Sequence, residues 1–157
     1  MDTKRIKETE IHFYHLTRKT LEQVLPELLT KTLERGIRAI VKTANTSQSE
    51  ELAKFLWVYT QNSFLPHGTE GDKEAALQPI WITDKDENPN TAKYLFLINM
   101  TKSDKMSEYD RVCNIFDGNN EKELQAAREL WKELQSNNSE NYELTYWKQT
   151  DKGWSKE

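Results

Sequence analysis

The sequence predicts an α/β fold: a Rossmann-like layered sheet, mostly parallel with an antiparallel edge, with helices on both faces and no P-loop. Three observations lead there. Short β-branched or aromatic runs alternate along the chain with longer stretches whose apolar residues recur at helical spacing, the pattern of βαβ units. The runs are of strand length and bounded by turn-forming residues. Only the last of them, 142–148, alternates clearly, which suits an antiparallel edge. At 157 residues the chain is long enough for one core and short for two, so a single domain over 1–157 is expected.

The elements follow in order. Residues 1–10, MDTKRIKETE, are charged and aperiodic and read as a loose lead-in. Ile11 to Leu16 is an aromatic-rich buried strand. Leu21, Val24, Leu25, Leu28, Leu29 and Leu33 then mark a helix that Gly36 should end, with Pro26 inside it as a kink. Ile37 to Thr43 is a β-branched strand, and Ser47-x-x-Glu50 is a capping-box match opening a helix with Leu52, Phe55, Leu56 and Tyr59. Ile80 to Thr83 and Tyr94 to Asn99 are short strands around the turn-rich DKDENPNT, and Val112 to Phe116 is a third. A helix from Glu121 to about Gln135, a polar loop from Ser136 to Asn141 and the strand Tyr142 to Lys148 complete the order. Residues 149–157 should fray, Trp154 being the exception without a reason.

Composition excludes several classes. A formal charge of −4 and a pI near 5.5 argue against a surface built to contact phosphates directly. The one cysteine, Cys113, lies in an apolar run where a buried, reduced thiol is expected, which suits the cytoplasm. Neither a secretory signal nor an 18-residue apolar run is visible, so no membrane partner is expected.

Catalytic chemistry finds little support. Phosphate binding in such a fold needs glycines in a strand-to-helix turn, but the turn after the first strand reads Thr17, Arg18, Lys19, Thr20. No cofactor is expected. Asp84-x-Asp86-x-Asn88 begins like a calcium loop but has Pro89 at its sixth position and Leu95 at its twelfth. His12, His15 and His67 read as structural or partner-facing, with no metal, and Cys113 as core filler.

Two surfaces stand out. On the late helix Leu124, Ala127, Leu130, Trp131 and Leu134 form the sheet-facing stripe, and Arg128 and Lys132 sit four apart beside it. Cations next to an aromatic surface suit a short peptide ending in an aromatic residue and a carboxylate. The competing reading makes Trp131 plain core and pairs Arg128 and Lys132 with Glu121, Glu129 or Glu133. The second surface is Trp57, Phe64, Leu65 and Pro66, a helix-end aromatic followed by a proline turn. Its competitor tucks Phe64 and Leu65 into the core.

The motif W-x6-F-x-P-H (Trp57, Phe64, Pro66, His67), the helix A-R-E-x-aromatic-K (Ala127, Arg128, Glu129, Trp131, Lys132) and the Phe13-Tyr14 opening strand resemble the chi subunit of bacterial DNA polymerase III. The resemblance covers nearly the whole chain. It implies a non-catalytic accessory of the clamp loader, with an α/β fold. It further implies that Arg128, Trp131 and Lys132 receive the acidic C-terminal tail of single-stranded DNA-binding protein. Trp57, Phe64, Leu65 and Pro66 would dock the psi subunit, an equivalent clamp-loader partner or a repair helicase. The family's extra lysine one turn before the arginine falls at Leu124, although Lys122 could reach the site, and Asp117 puts a negative charge where the family is apolar. DNA would be met only indirectly, at a cytoplasmic replisome. The alternatives are a nucleotide-binding α/β enzyme, or a direct single-strand binder using Trp57 and Trp154.

Overall fold

The alternation of strands and helices produces one sheet with helices on both faces. The computed structural model describes residues 8–59, 66–69, 74–136 and 142–157, the side chains of 57–59 excepted. Its elements are β1 (Thr9–Leu16), α1 (Leu21–Glu34), β2 (Ala39–Lys42), α2 (Thr46–Tyr59), β3 (His67–Thr69), β4 (Ile80–Thr83), β5 (Tyr94–Leu97), β6 (Arg111–Asp117), α3 (Glu121–Ser136), β7 (Tyr142–Thr150) and β8 (Gly153–Lys156). Among the described residues the sheet runs β3-β4-β2-β5-β6-β1-β7-β8, and every pair is parallel except β7 with β8.

Strand alternation assigns the core. On one face Tyr14, Leu16, Phe96 and Ile115 belong to a cluster with Val24, Leu25 and Leu29 of α1 and Leu56 of α2. On the other, Ile11, Phe13, Leu97 and Phe116 belong to one with Ala127, Leu130 and Leu134 of α3. Parallel strands covered on both sides read as continuous apolar runs, and β4 and β5 are buried at every position.

Local chemistry sets the ends. Gly36 adopts φ +74°, and the Gly36 and Ile37 N–H groups bond back to the Leu33 and Thr32 carbonyls. That left-handed cap stops α1 where the sequence places the stop. Pro26 lies within α1, buried. The start of α2 differs from expectation: Asn45 is the cap, accepting the Gln48 N–H at 2.9 Å, while Gln48 returns to the Ala44 N–H at 3.0 Å. An Asn-x-x-Gln box two residues earlier replaces the Ser47 to Glu50 match, because the Asn side-chain oxygen caps a helix as well as the Ser hydroxyl.

The C-terminal end departs most from the sequence reading. Tyr142 to Lys148 was expected at an antiparallel edge, but β7 lies parallel to β1, since α3 is a crossover connection that returns the chain to the same strand direction. The antiparallel edge is β8, in the segment expected to fray. The turn at Asp151 and Lys152 reverses the chain, with Gly153 at φ +117°. At the other end, residues 1–7 lie outside the described ones, but Thr9 and Glu10 are not loose. The Thr9 hydroxyl donates to the Tyr109 carbonyl at 2.7 Å, and the Glu10 N–H bonds the Asp110 carbonyl.

Candidate functional site

Asn120 opens α3, its side chain accepting the Glu123 N–H at 3.1 Å and its carbonyl the Leu124 N–H at 2.9 Å. Glu121 and Glu123 fall in the first turn, where the helix dipole favours carboxylates. From that start the three-and-four spacing buries Ala127, Leu130 and Leu134 and leaves Trp131 half-buried, while Arg128 and Lys132 are exposed.

A slot of ≈ 190 Å³ opens there, lined by Phe116, Ala127, Arg128, Trp131, Lys132 and Tyr146. Trp131 stands edge-to-face with Phe13 at 5.2 Å and with Tyr146 at 5.8 Å. Such contacts fix the ring geometry and add about 0.5–1.5 kcal/mol per pair beyond burial. Among the described residues neither Arg128 nor Lys132 lies within 4.0 Å of a carboxylate. The competing pairs with Glu121, Glu129 or Glu133 do not form, and Glu129 instead accepts from Gln125 at 3.3 Å. The geometry joins two uncommitted cations to an aromatic slot.

Sequence reasoning found three of the lining residues and missed the strand side. Lys122 is exposed and Leu124 half-buried against the core, and neither lines the slot. Phe116 and Tyr146 do, and His15 supports them: its Nδ1 lies 2.5 Å from the Tyr146 hydroxyl and its ring 5.0 Å from Phe116. The alternation of Leu144 and Tyr146 was legible, but the pairing of β7 with β1 that brings Tyr146 to Phe13 was not. Burial holds the His15 pKa below its ordinary 6.5, and the Lys148 and Arg128 charges push the same way. Gly118 makes this packing possible, because a Cβ there would sit 1.9 Å from His15 Nε2.

The second predicted surface is only partly described. Trp57 lies in the last turn of α2, Phe64 and Leu65 fall outside the described residues, and Pro66 is half-buried. His67 is buried in β3, its Nε2 donating to the Ala53 carbonyl of α2 at 3.0 Å, which ties β3 to the helix.

In the strand-to-helix crevice, where this fold class binds phosphates, the chain satisfies its own amides. The Thr17, Arg18 and Lys19 N–H groups all donate to the buried Gln149 side-chain oxygen, at 3.2, 2.9 and 2.9 Å. Three converging amides are what a phosphate would use. Asp117 and Glu123 line the space beside them, together with Arg18 and Lys19, so the charge there is mixed. Asp86 is likewise engaged, accepting from Lys42 at 3.1 Å and Ser103 at 2.6 Å. Burial pushes the Cys113 thiol up to about 12, far from a reactive thiolate. Among the described residues no group of three His, Cys, Asp or Glu side chains could hold a metal, and no helix is long and apolar enough to cross a membrane.

Comparison with known proteins bears on the same residues. The family described as DNA polymerase III chi subunit, HolC, matches residues 9–141. The "Probable DNA polymerase III subunit chi" of Rickettsia prowazekii (strain Madrid E) is 31% identical over 107 residues, 68% of this chain. The aligned part spans 65% of that relative's length. Arg128, Trp131 and Lys132 lie inside the family match, whereas Tyr146 lies beyond it. Both similarities agree, and the chain belongs to the DNA polymerase III chi subunit family.

Proposed function

We propose that this protein is a non-catalytic replisome adaptor of DNA polymerase III in the cytoplasm. On this reading the α3 slot receives the acidic, phenylalanine-ending C-terminal tail of single-stranded DNA-binding protein. The terminal ring enters between Trp131, Phe116 and Tyr146, and the carboxylates meet Arg128 and Lys132. The observation that carries the reading is the pairing of an aromatic slot with two rim cations that have no acidic partner among the described residues. Buried rings supply the anchor and a guanidinium grips a carboxylate bidentately. Lys122 and Leu124, expected to take part, lie outside the lining of the slot.

The second surface, Trp57 with Phe64, Leu65 and Pro66, docks the psi subunit, an equivalent clamp-loader partner or a repair helicase. Holding coated DNA at one site and the clamp loader at the other raises the local concentration of polymerase, so linkage supplies more affinity than either contact alone.

The test is a titration of the fluorescent tail peptide into wild type and Arg128→Ala at low and high salt. Wild-type binding that weakens at least tenfold in the variant, about 1.4 kcal/mol or more, supports the adaptor. An intact wild type that ignores the peptide at low salt sinks it.

A further inference from the structure

A second cavity, of ≈ 340 Å³, lies on the opposite face of the sheet, beneath the last turns of α1. Near the start of α1 the sheet side is apolar, with Leu16 and Ile115. Under its end the sheet offers His12, Arg111 and Tyr94 instead, so the helix covers a polar, aromatic hollow there.

The hollow is organised in advance. The Trp147 indole N–H donates to His12 Nδ1 at 3.0 Å, which leaves the His12 proton on Nε2, facing Glu10 at 3.2 Å. Glu10 in turn accepts from Arg111 at 3.3 Å. Arg111 lies 4.9 Å from the Tyr94 ring centroid, and Arg35 donates to the Tyr94 hydroxyl at 3.3 Å. From the edge strand, Trp154 closes edge-to-face on Tyr14 at 5.2 Å. Glu10 is thus shared by His12 and Arg111, while Lys31 and Arg35 have no carboxylate partner among the described residues. A helix C-terminus accounts for a cation near it. It does not account for a hollow walled by two tryptophans beside those cations.

We propose that this cleft binds a small aromatic anion, its ring against Trp147 and Trp154 and its carboxylate or phosphate on Lys31 and Arg35. Cations beside aromatic walls recognise both parts of such a ligand at once, and the volume suits a small molecule. The site is independent of the tail-binding slot.

Calorimetric titration of the intact chain with adenosine 5′-monophosphate and, separately, with 3-phenylpropanoate tests it. The expected result is binding of at least one probe that weakens tenfold or more in Lys31→Ala/Arg35→Ala and is unchanged in Arg128→Ala. Both replaced side chains are exposed or at the helix cap, so the fold survives their loss. Preference for the first probe assigns a phosphate ligand and preference for the second a carboxylate. Absence of binding by either up to about 10 mM overturns the proposal. So does binding that the double substitution leaves intact, or that Arg128→Ala removes.

Discussion

The α3 slot and the crevice at the carboxyl ends of β1 and β6 both gather groups suited to an anion, yet only one leaves them available. In the crevice, three backbone N–H groups converge on Gln149 and Asp117 and Glu123 stand beside them. In the slot, Arg128 and Lys132 flank an aromatic floor with no acidic partner among the described residues. Where the chain satisfies its own donors the arrangement is structural, and where it leaves them uncommitted it is a candidate for binding. The fold alone would have favoured the crevice.

Substitution at the crevice should have the largest effect on stability. Gln149→Ala strips one acceptor from three N–H groups in a partly buried setting and should cost about 2–3 kcal/mol in urea unfolding. Gln149→Glu, which keeps the acceptor, should restore most of it. An alanine variant as stable as wild type would end the claim that Gln149 holds the three amides in place.

Next comes Gly118→Ala, which drives a methyl group into the His15 ring and should cost about 1–3 kcal/mol. Because His15 bonds Tyr146, tail binding should weaken as well, and a variant that lost stability but kept full tail affinity would separate His15 from the slot. Tyr146→Phe removes that hydrogen bond alone and should cost about 1 kcal/mol. Its ring remains, so peptide binding should change less than with Trp131→Ala.

Acidification gives a smaller effect with a definite sign. His12 and His15 both titrate below 6.5, burial being the first cause in each. A histidine whose folded pKa lies below its unfolded value binds fewer protons folded than unfolded between the two. Its contribution is therefore complete above the unfolded pKa and is lost as the pH falls toward the folded one. Urea midpoints should decline as the pH falls through and below 6.5, and the slope should shrink in His12→Gln/His15→Gln. A flat wild-type profile would contradict the shielding of both rings.

Smallest of all, Lys148→Ala should weaken tail binding only a few-fold and reduce its salt dependence. Register places Lys148 beside His15, on the strand face that carries Tyr146, without a lining position in the slot. Loss as large as that of Arg128→Ala would make the sheet, rather than the helix, the main source of charge.

Much of this molecule was determined by the sequence alone. Helical spacing located α1 and α3, the glycine at 36 stopped α1, and apolar runs located the central strands, since these signals depend on near neighbours along the chain. Arg128, Trp131 and Lys132 were legible for the same reason, being one turn of one helix. The tertiary structure decided the rest. Short, polar β3 and β8 become strands only because a neighbour supplies their hydrogen bonds, and Phe116, Tyr146 and His15 meet only because β6, β1 and β7 lie side by side. Gln149 reaches the three amides of the crevice across 130 residues or more of chain. Such contacts depend on strand order and register, and a periodicity of two or of 3.6 carries no information about which strand pairs with which.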